Sequence, residues 1–473
     1  GVPCGANDYL VNTILRGEWG FKGLVVSDCW AITDFFEPGR HGYSENVVEA
    51  TALAVHTGTD LNCGSSYQSI PEAVRSGRLL EADVDRSLVR LLAARYRIGE
   101  LDNAPTPWDE LEDGIVEGPD HLDLARKMAR ESIVLLQNRG GLLPLAKGAR
   151  IALVGPNADD REMLWGNYNA IPAQTVTLAD ALRARIPALP VLRGCDLVCV
   201  EAPSTATEQA VLDSLGGCDV VIFAGGISPR VEGEEMKVTL PGFRGGDRTD
   251  IQLPAIQRHF LHTLHAAGKK VVLVNFSGSA VGLVPETESC DAILQAWYPG
   301  EEGGNALADI LFGDVVPSGK LPVTFYRDTT QLPDYESYAM QGRTYRYFEG
   351  DPLYAFGYGL SYTTFQYGEA RIRGRRLIVP VTNTGECEGT EVVQLYVHRP
   401  DDPEGPLKSL RGFQRVTIPA GQTREVSFPL NDETFLAWSP DKRDMVPTAG
   451  AWELLYGGSS DQLGTVSYTF RSK

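Results

Sequence analysis

Apolar and polar positions are arranged in three different ways along the chain, and each arrangement predicts a different kind of structure. Near the start, Leu24, Val25 and Val26 form an apolar run that ends in the polar pair Ser27-Asp28. This is the pattern of a buried parallel strand whose carboxyl end opens onto a site. Helical spacing precedes it at about 7–18 and follows it at about 44–57, and a second short strand is predicted at about Asp60 to Cys63. Val84, Leu88, Leu91, Leu92 and Ile98 then repeat at helical spacing. The opening residues thus read as βα units, but two strands are too few for a closed (β/α)8 barrel, which takes about 200–250 residues.

Residues 102–117, rich in Pro, Asp, Glu and Gly, lack periodicity and read as a linker. A helix is predicted over about 120–137. From 150 onward the runs IALVG, DVVIFAGG, KVVLVNFSG and DAILQAWYPG alternate with helical patterns at 254–267 and 303–313, the signature of an α/β layer on a parallel sheet. From about 360 the period shortens: Val393, Leu395 and Val397 interleave with Gln394, Tyr396 and His398 between Gly, Pro and Asn turns. That predicts an all-β sandwich of about 100 residues.

Composition narrows the chemistry. A length of 473 residues suggests roughly two to four domains. The net charge of −19 repels phosphate backbones and anionic membranes, so nucleic acid and membrane are not expected partners. No apolar run approaches the roughly 20 residues of a membrane span, and the first residues lack the order of a signal peptide. The 8 Cys contain no C-x-x-C and the 7 His no H-E-x-x-H, so neither a metal site nor a cofactor is expected.

Two acidic features stand out. Asp28 lies at a strand's carboxyl end, where a stiff backbone suits a nucleophile, although a turn or helix-capping Asp fits the same position. Glu232, Glu234 and Glu235 crowd together just after an apolar strand. Mutual repulsion there favours a proton donor among them, while composition alone favours a solvated acidic loop. Loops such as Gly155-Pro156-Asn157 and Gly225-Gly226 match neither G-x-G-x-x-G nor a P-loop, which argues against a nucleotide-binding protein.

A series of motifs, in order over nearly the whole chain, resembles glycoside hydrolase family 3. They are LRGEWG (15–20), FKGLVVSD (21–28), the Gly-Gly-Ile to Glu-Gly-Glu-Glu segment (225–235), GGDRT (245–249), LQAWYPGEEGG (294–304), SGKLPVTF (318–325) and FGYGLSYTTF (356–365). The nearest branch holds β-xylosidases and β-glucosidases, in which a Gly-Asn-Tyr like Gly166-Asn167-Tyr168 occurs. The resemblance implies a multidomain α/β plus all-β protein. Its parts would be the C-terminal part of a (β/α)8-type barrel at 1–101, a linker at 102–117, an α/β sandwich with a mostly parallel sheet at 118–345 and a fibronectin type III-like β-sandwich at 346–473. It further implies a retaining exo-β-glycosidase that releases xylose or glucose from β-linked oligosaccharides or from aryl or alkyl β-glycosides.

Residue by residue, the resemblance makes Asp28 the nucleophile and Glu234 the acid/base, with Glu232 as the substitute. Many family members have Trp directly after the nucleophile; here Cys29 intervenes, leaving Trp30 either a stacking platform for sugar or a core aromatic. Tyr168 either lines the cleft rim or belongs to a simple turn. Cys29 and Cys63 are either bonded, in an oxidising compartment, or two buried thiols. The family's first six barrel strands would precede Gly1: either a companion chain or a homo-oligomer completes the barrel, or the sequence is a truncated form, or a different architecture has evolved around the surviving part. The alternative is an impaired carbohydrate-binding or interaction fragment of such an enzyme. A periplasmic or secreted location is expected.

Overall fold

The computed structural model describes residues 1–199, 205–233 and 236–471, in two compact units, 1–115 and 116–473. The first unit is built on helices: a widely wound segment Tyr9–Glu18, α1 (Val47–Thr57), α2 (Ile70–Arg75) and α3 (Glu81–Arg97). Helix α1 starts where the Asn46 side chain accepts from the Val48 and Glu49 N–H groups, satisfying donors that the first turn leaves orphaned. It stops at Gly58, whose φ of 99° suits a residue without Cβ. Small side chains such as Ala50 and Ala54 let α1 pack closely on Ile32 and Phe35.

The strands expected at 22–28 and 60–63 are reduced to a single parallel bridge, Val26 to Leu61. Val26 is 50% exposed rather than buried. A parallel strand hidden on both faces needs a ladder partner on each edge, and among the described residues this segment has one. No closed barrel is present among them.

What holds the segment in place is Asp60. Its side chain is fully buried and accepts from Arg16 at 2.8 Å, from Arg90 at 2.9 Å and from the Val25 backbone N–H at 2.9 Å. One carboxylate thereby joins the first helical segment, α3 and the chain leading to Asp28. Burial, and then the nearby Arg90, push the Arg16 pKa down against the pull of Asp60.

The second unit contains a six-stranded sheet of β1 (Val134–Asn138), β2 (Ile151–Val154), β3 (Val191–Leu192), β4 (Val220–Gly226), β5 (Lys270–Phe276) and β6 (Ala292–Gln295). The order is β1-β6-β5-β4-β2-β3, all parallel except β1 at one edge. The helix expected over 120–137 ends at Ser132, because Ile133 and Val134 are β-branched and feed directly into the edge strand. Every residue of β4 is buried. Ile222 and Val272 face one layer with Leu182 and Leu307, whereas Val221 and Leu273 face the other with Phe260 and Leu264. Coverage on both faces explains why these strands read as unbroken apolar runs.

Residues 365–470 form two four-stranded antiparallel sheets that enclose Val381, Leu395, Phe428, Phe435 and Leu454. The sandwich is tied to the α/β layer through Lys320 to Glu391 at 3.0 Å and through Arg415, which meets Glu131 and Ser318. No helix among the described residues is long and apolar enough to cross a membrane.

The Asp60 hub gives a first prediction. Asp60→Ala leaves two desolvated guanidinium groups without a counter-charge and should destabilise the 1–115 unit by about 3–5 kcal/mol. Urea unfolding combined with limited proteolysis of this unit checks it, and a loss below about 1 kcal/mol would remove Asp60 from that role.

Candidate active site

Asp28 sits where two stretches of chain are joined at several points. Ser27 N–H donates to Leu61 O at 2.9 Å, Cys63 N–H to Ser27 Oγ at 3.0 Å and Trp30 N–H to Cys63 O at 2.8 Å. A disulfide between Cys29 and Cys63 closes the same point, so of the two alternatives for these cysteines the structure holds the bonded one. The Asp28 carboxylate is exposed, with Oδ1 accepting from the Cys29 N–H at 2.8 Å. It lines a cavity of about 500 Å³ together with Ser27, Trp19, Ile32, Phe35 and His41.

Trp30 adopts a φ of 66°, uncommon for a residue with a Cβ, and its side chain is 58% exposed. It is a surface indole beside Gly64, not a core aromatic. Non-glycine residues in this conformation concentrate at functional sites.

The second acidic feature lies in the other unit, where the chain leaves β4 and runs over the carboxyl edge of the parallel sheet. Glu232 accepts from the Gly278 N–H at 2.8 Å and the Tyr298 hydroxyl at 2.6 Å through Oε1, and from the Ser279 hydroxyl at 2.8 Å through Oε2. Gly278 and Ser279 follow β5, and Tyr298 follows β6. Asn167 donates to the Glu232 carbonyl at 2.9 Å. Burial, and then the Glu232 charge, push the Tyr298 phenol well above its ordinary range, so it stays a hydrogen-bond donor.

Arg248, from GGDRT, reaches the same turn, donating to Ser279 Oγ at 3.2 Å and Ala280 O at 2.9 Å. Burial pushes its pKa down, and the charge of Glu232 opposes that shift. The arrangement makes Glu232 a clamp that holds the loop to two strand ends. Both of its oxygens accept hydrogen bonds.

Glu234 and Glu235 lie outside the described residues. Tyr168, in a left-handed turn, is 89% exposed next to Asn167. Of the residues singled out in the sequence, Asp28 and Trp30 lie close together in the first unit, and Glu232 and Asn167 meet in the second. Asp60, Arg248, Ser279 and Tyr298 went unrecognised as positioning groups, although Arg248 and Tyr298 fall within the GGDRT and LQAWYPGEEGG motifs. Among the described residues no group of three or more His, Cys, Asp or Glu is placed to hold a metal ion.

Acidic groups at the ends of parallel-paired segments, a doubly covered α/β layer and an attached β-sandwich define a multidomain α/β protein with chemistry suited to carboxylates. Comparison with known proteins makes this specific. Residues 1–94 match the glycosyl hydrolase family 3 N-terminal domain, 133–362 its C-terminal domain, and 391–460 the fibronectin type III-like domain. A xylan 1,4-β-xylosidase of Xylanibacter ruminicola is 39% identical over 97% of this chain and 70% of its own length. A periplasmic β-glucosidase of Salmonella typhimurium is 33% identical over 99% of this chain and 66% of its own. The β-glucosidase of Listeria innocua in complex with glucose superimposes with a TM-score of 0.85 at 28% identity, over 99% of this chain and 66% of its own. The chain belongs to glycosyl hydrolase family 3 and spans about two thirds of the length of the relatives it matches.

Removing one of the donors to Glu232 should loosen the loop and leave the sheet intact. Tyr298→Phe is expected to cost about 1–2 kcal/mol and to speed amide hydrogen exchange in 227–250, with β4 and β5 unchanged. Unaltered exchange in that loop would show that the phenol does not hold it.

Proposed function

We propose that the whole protein is a retaining exo-β-glycosidase that removes single xylose or glucose units from the non-reducing ends of β-linked oligosaccharides, or from aryl and alkyl β-glycosides. The observation that carries this reading is Asp28. An exposed carboxylate is fixed by its neighbours' backbone bonds and a disulfide beside a cavity, in a chain whose relatives are named β-xylosidase and β-glucosidase.

In the proposed reaction Asp28 attacks the anomeric carbon and forms a glycosyl ester as the acid/base protonates the departing oxygen. The acid/base then takes a proton from the water that hydrolyses the ester. Such chemistry needs two carboxyl groups about 5–5.5 Å apart. We assign the second role to Glu234, because three hydrogen bonds, from Gly278, Ser279 and Tyr298, already hold Glu232 in a positioning role. Trp30 offers a face for the sugar ring and Tyr168 a place at the rim. A periplasmic or secreted location is supported by the disulfide, which persists in oxidising compartments, and by the periplasmic name of one relative.

Paired assays with aryl β-xyloside and aryl β-glucoside test the activity and rank the two sugars; release of neither would overturn the proposal. Asp28→Asn should keep the fold and lose several orders of magnitude in turnover, and a 2-fluoro glycoside should label Asp28 alone. Labelling of another carboxylate would end that assignment.

Glu234→Ala should impair substrates with poor leaving groups far more than activated aryl glycosides, and azide should restore turnover of the activated ones by replacing the deprotonated water. Glu232→Ala should instead lower stability and show no azide rescue. The reverse pattern would move the acid/base one position along the loop's acidic series, to Glu232.

A further inference from the structure

The β-sandwich carries a cavity that the proposed reaction does not use. Its volume is about 560 Å³, and it lies between the segment around Arg346 and the hairpin formed by Leu436–Ser439 and Asp444–Pro447, within the size range of small-molecule sites. Trp438 stands on this hairpin with 58% of its surface exposed, paired across the strands with Met445, itself 39% exposed. The neighbouring Ala437 is buried in the sandwich core, so the alternation of the strand turns the indole outward.

The polar lining is mixed in sign. Arg346 stacks its guanidinium over the Tyr347 ring, 5.6 Å from the centroid, and its Nε is buried without a hydrogen-bond partner. Arg411 behind it spends Nε and Nη2 on the carbonyls of Thr434 and Leu436. Asp402 and Glu404 bring carboxylates to the same cavity.

An anion would meet the carboxylates and a cation the guanidinium groups. A neutral polyol suits both, since every hydroxyl donates and accepts. A β-linked sugar also has apolar C–H faces, which fit an exposed indole, and a rim of hydroxyls for the charged groups.

We propose that this cavity is an accessory carbohydrate-binding site, which holds a unit of a β-linked oligosaccharide against Trp438 with Arg346, Asp402 and Glu404 on its hydroxyls. The choice of β-linked sugar rests on the proposed function, whereas the existence of the site rests on the cavity alone. Its occupancy would keep a polymeric substrate on the protein between cleavage events.

The test uses the full chain carrying Asp28→Asn, so that bound sugar is not consumed. Retardation in native gels containing soluble xylan, and calorimetric titration with xylohexaose, should weaken about tenfold in Trp438→Ala and in Arg346→Gln. Trp438→Tyr should retain part of the binding and guards against misfolding of the Ala variant. With Asp28 restored, Trp438→Ala should turn over a short aryl glycoside within about twofold of the unaltered chain. Equal retardation of all variants would overturn the site, as would retention by an acidic polysaccharide alone. Retardation that depends on Trp438 in a protein that cleaves neither aryl glycoside would uphold the site and sink the enzymatic reading; cleavage without such retardation would do the opposite.

Discussion

A carboxylate collects hydrogen-bond donors, and in this protein two of them, the buried Asp60 and the half-buried Glu232, organise the backbone next to both acidic features. Asp60 collects two guanidinium groups and a backbone N–H, and in doing so aligns the chain that ends at Asp28. Glu232 collects a backbone N–H and two hydroxyls, and so draws the loop after β4 onto the ends of β5 and β6. Neither is the group proposed to react. Each uses its own acceptor capacity to fix the neighbouring chain within its own unit.

The carboxyl edge of the parallel sheet is stiffened by the same logic, here with amides. Asn157 donates to Gly225 O and Ile227 O, Gln257 bonds both backbone groups of Gly226, and Asn275 donates to Gln295 at 2.6 Å. All four side chains are buried, and each ties one strand end to another segment. Gly226 shows how tightly the edge is packed: at φ 112°, a Cβ there would come within 2.0 Å of Phe276 O. Apart from Asn275 Oδ1, which is buried without a partner, these amides are hydrogen-bonded, and such a network favours one arrangement over others.

Much of this architecture was legible in the order of residues. Runs such as IALV and VVLVNF predicted strands covered on both faces, and the change to period two near 390 marked the sandwich. The run before Asp28 misled because an apolar run reports the tendency to be buried, whereas a strand also needs partners at its edges. The overlong helix before β1 arose because helical spacing alone does not announce where β-branched residues hand the chain to a sheet. The acidic loop was ambiguous for a physical reason. Glu232 is held by donors 46, 47 and 66 positions downstream, and no local pattern carries that information. Asp60 was silent likewise, its partners lying 44 and 30 positions away.

Glu232 and Arg248 come back to one turn, at 278–280, from opposite ends of the loop. Both stems of the intervening stretch are therefore anchored at a common base. Closing such a stretch becomes only slowly harder as it grows, by about 0.6 kcal/mol for each doubling of length. The stretch is not bare between its anchors, since Phe243 is buried against Ile227 and Val231, so changes in length are best accommodated at its exposed positions and not at that contact. Variation in the length of this loop, by descent or by design, therefore has a place to occur that leaves both anchors where they are.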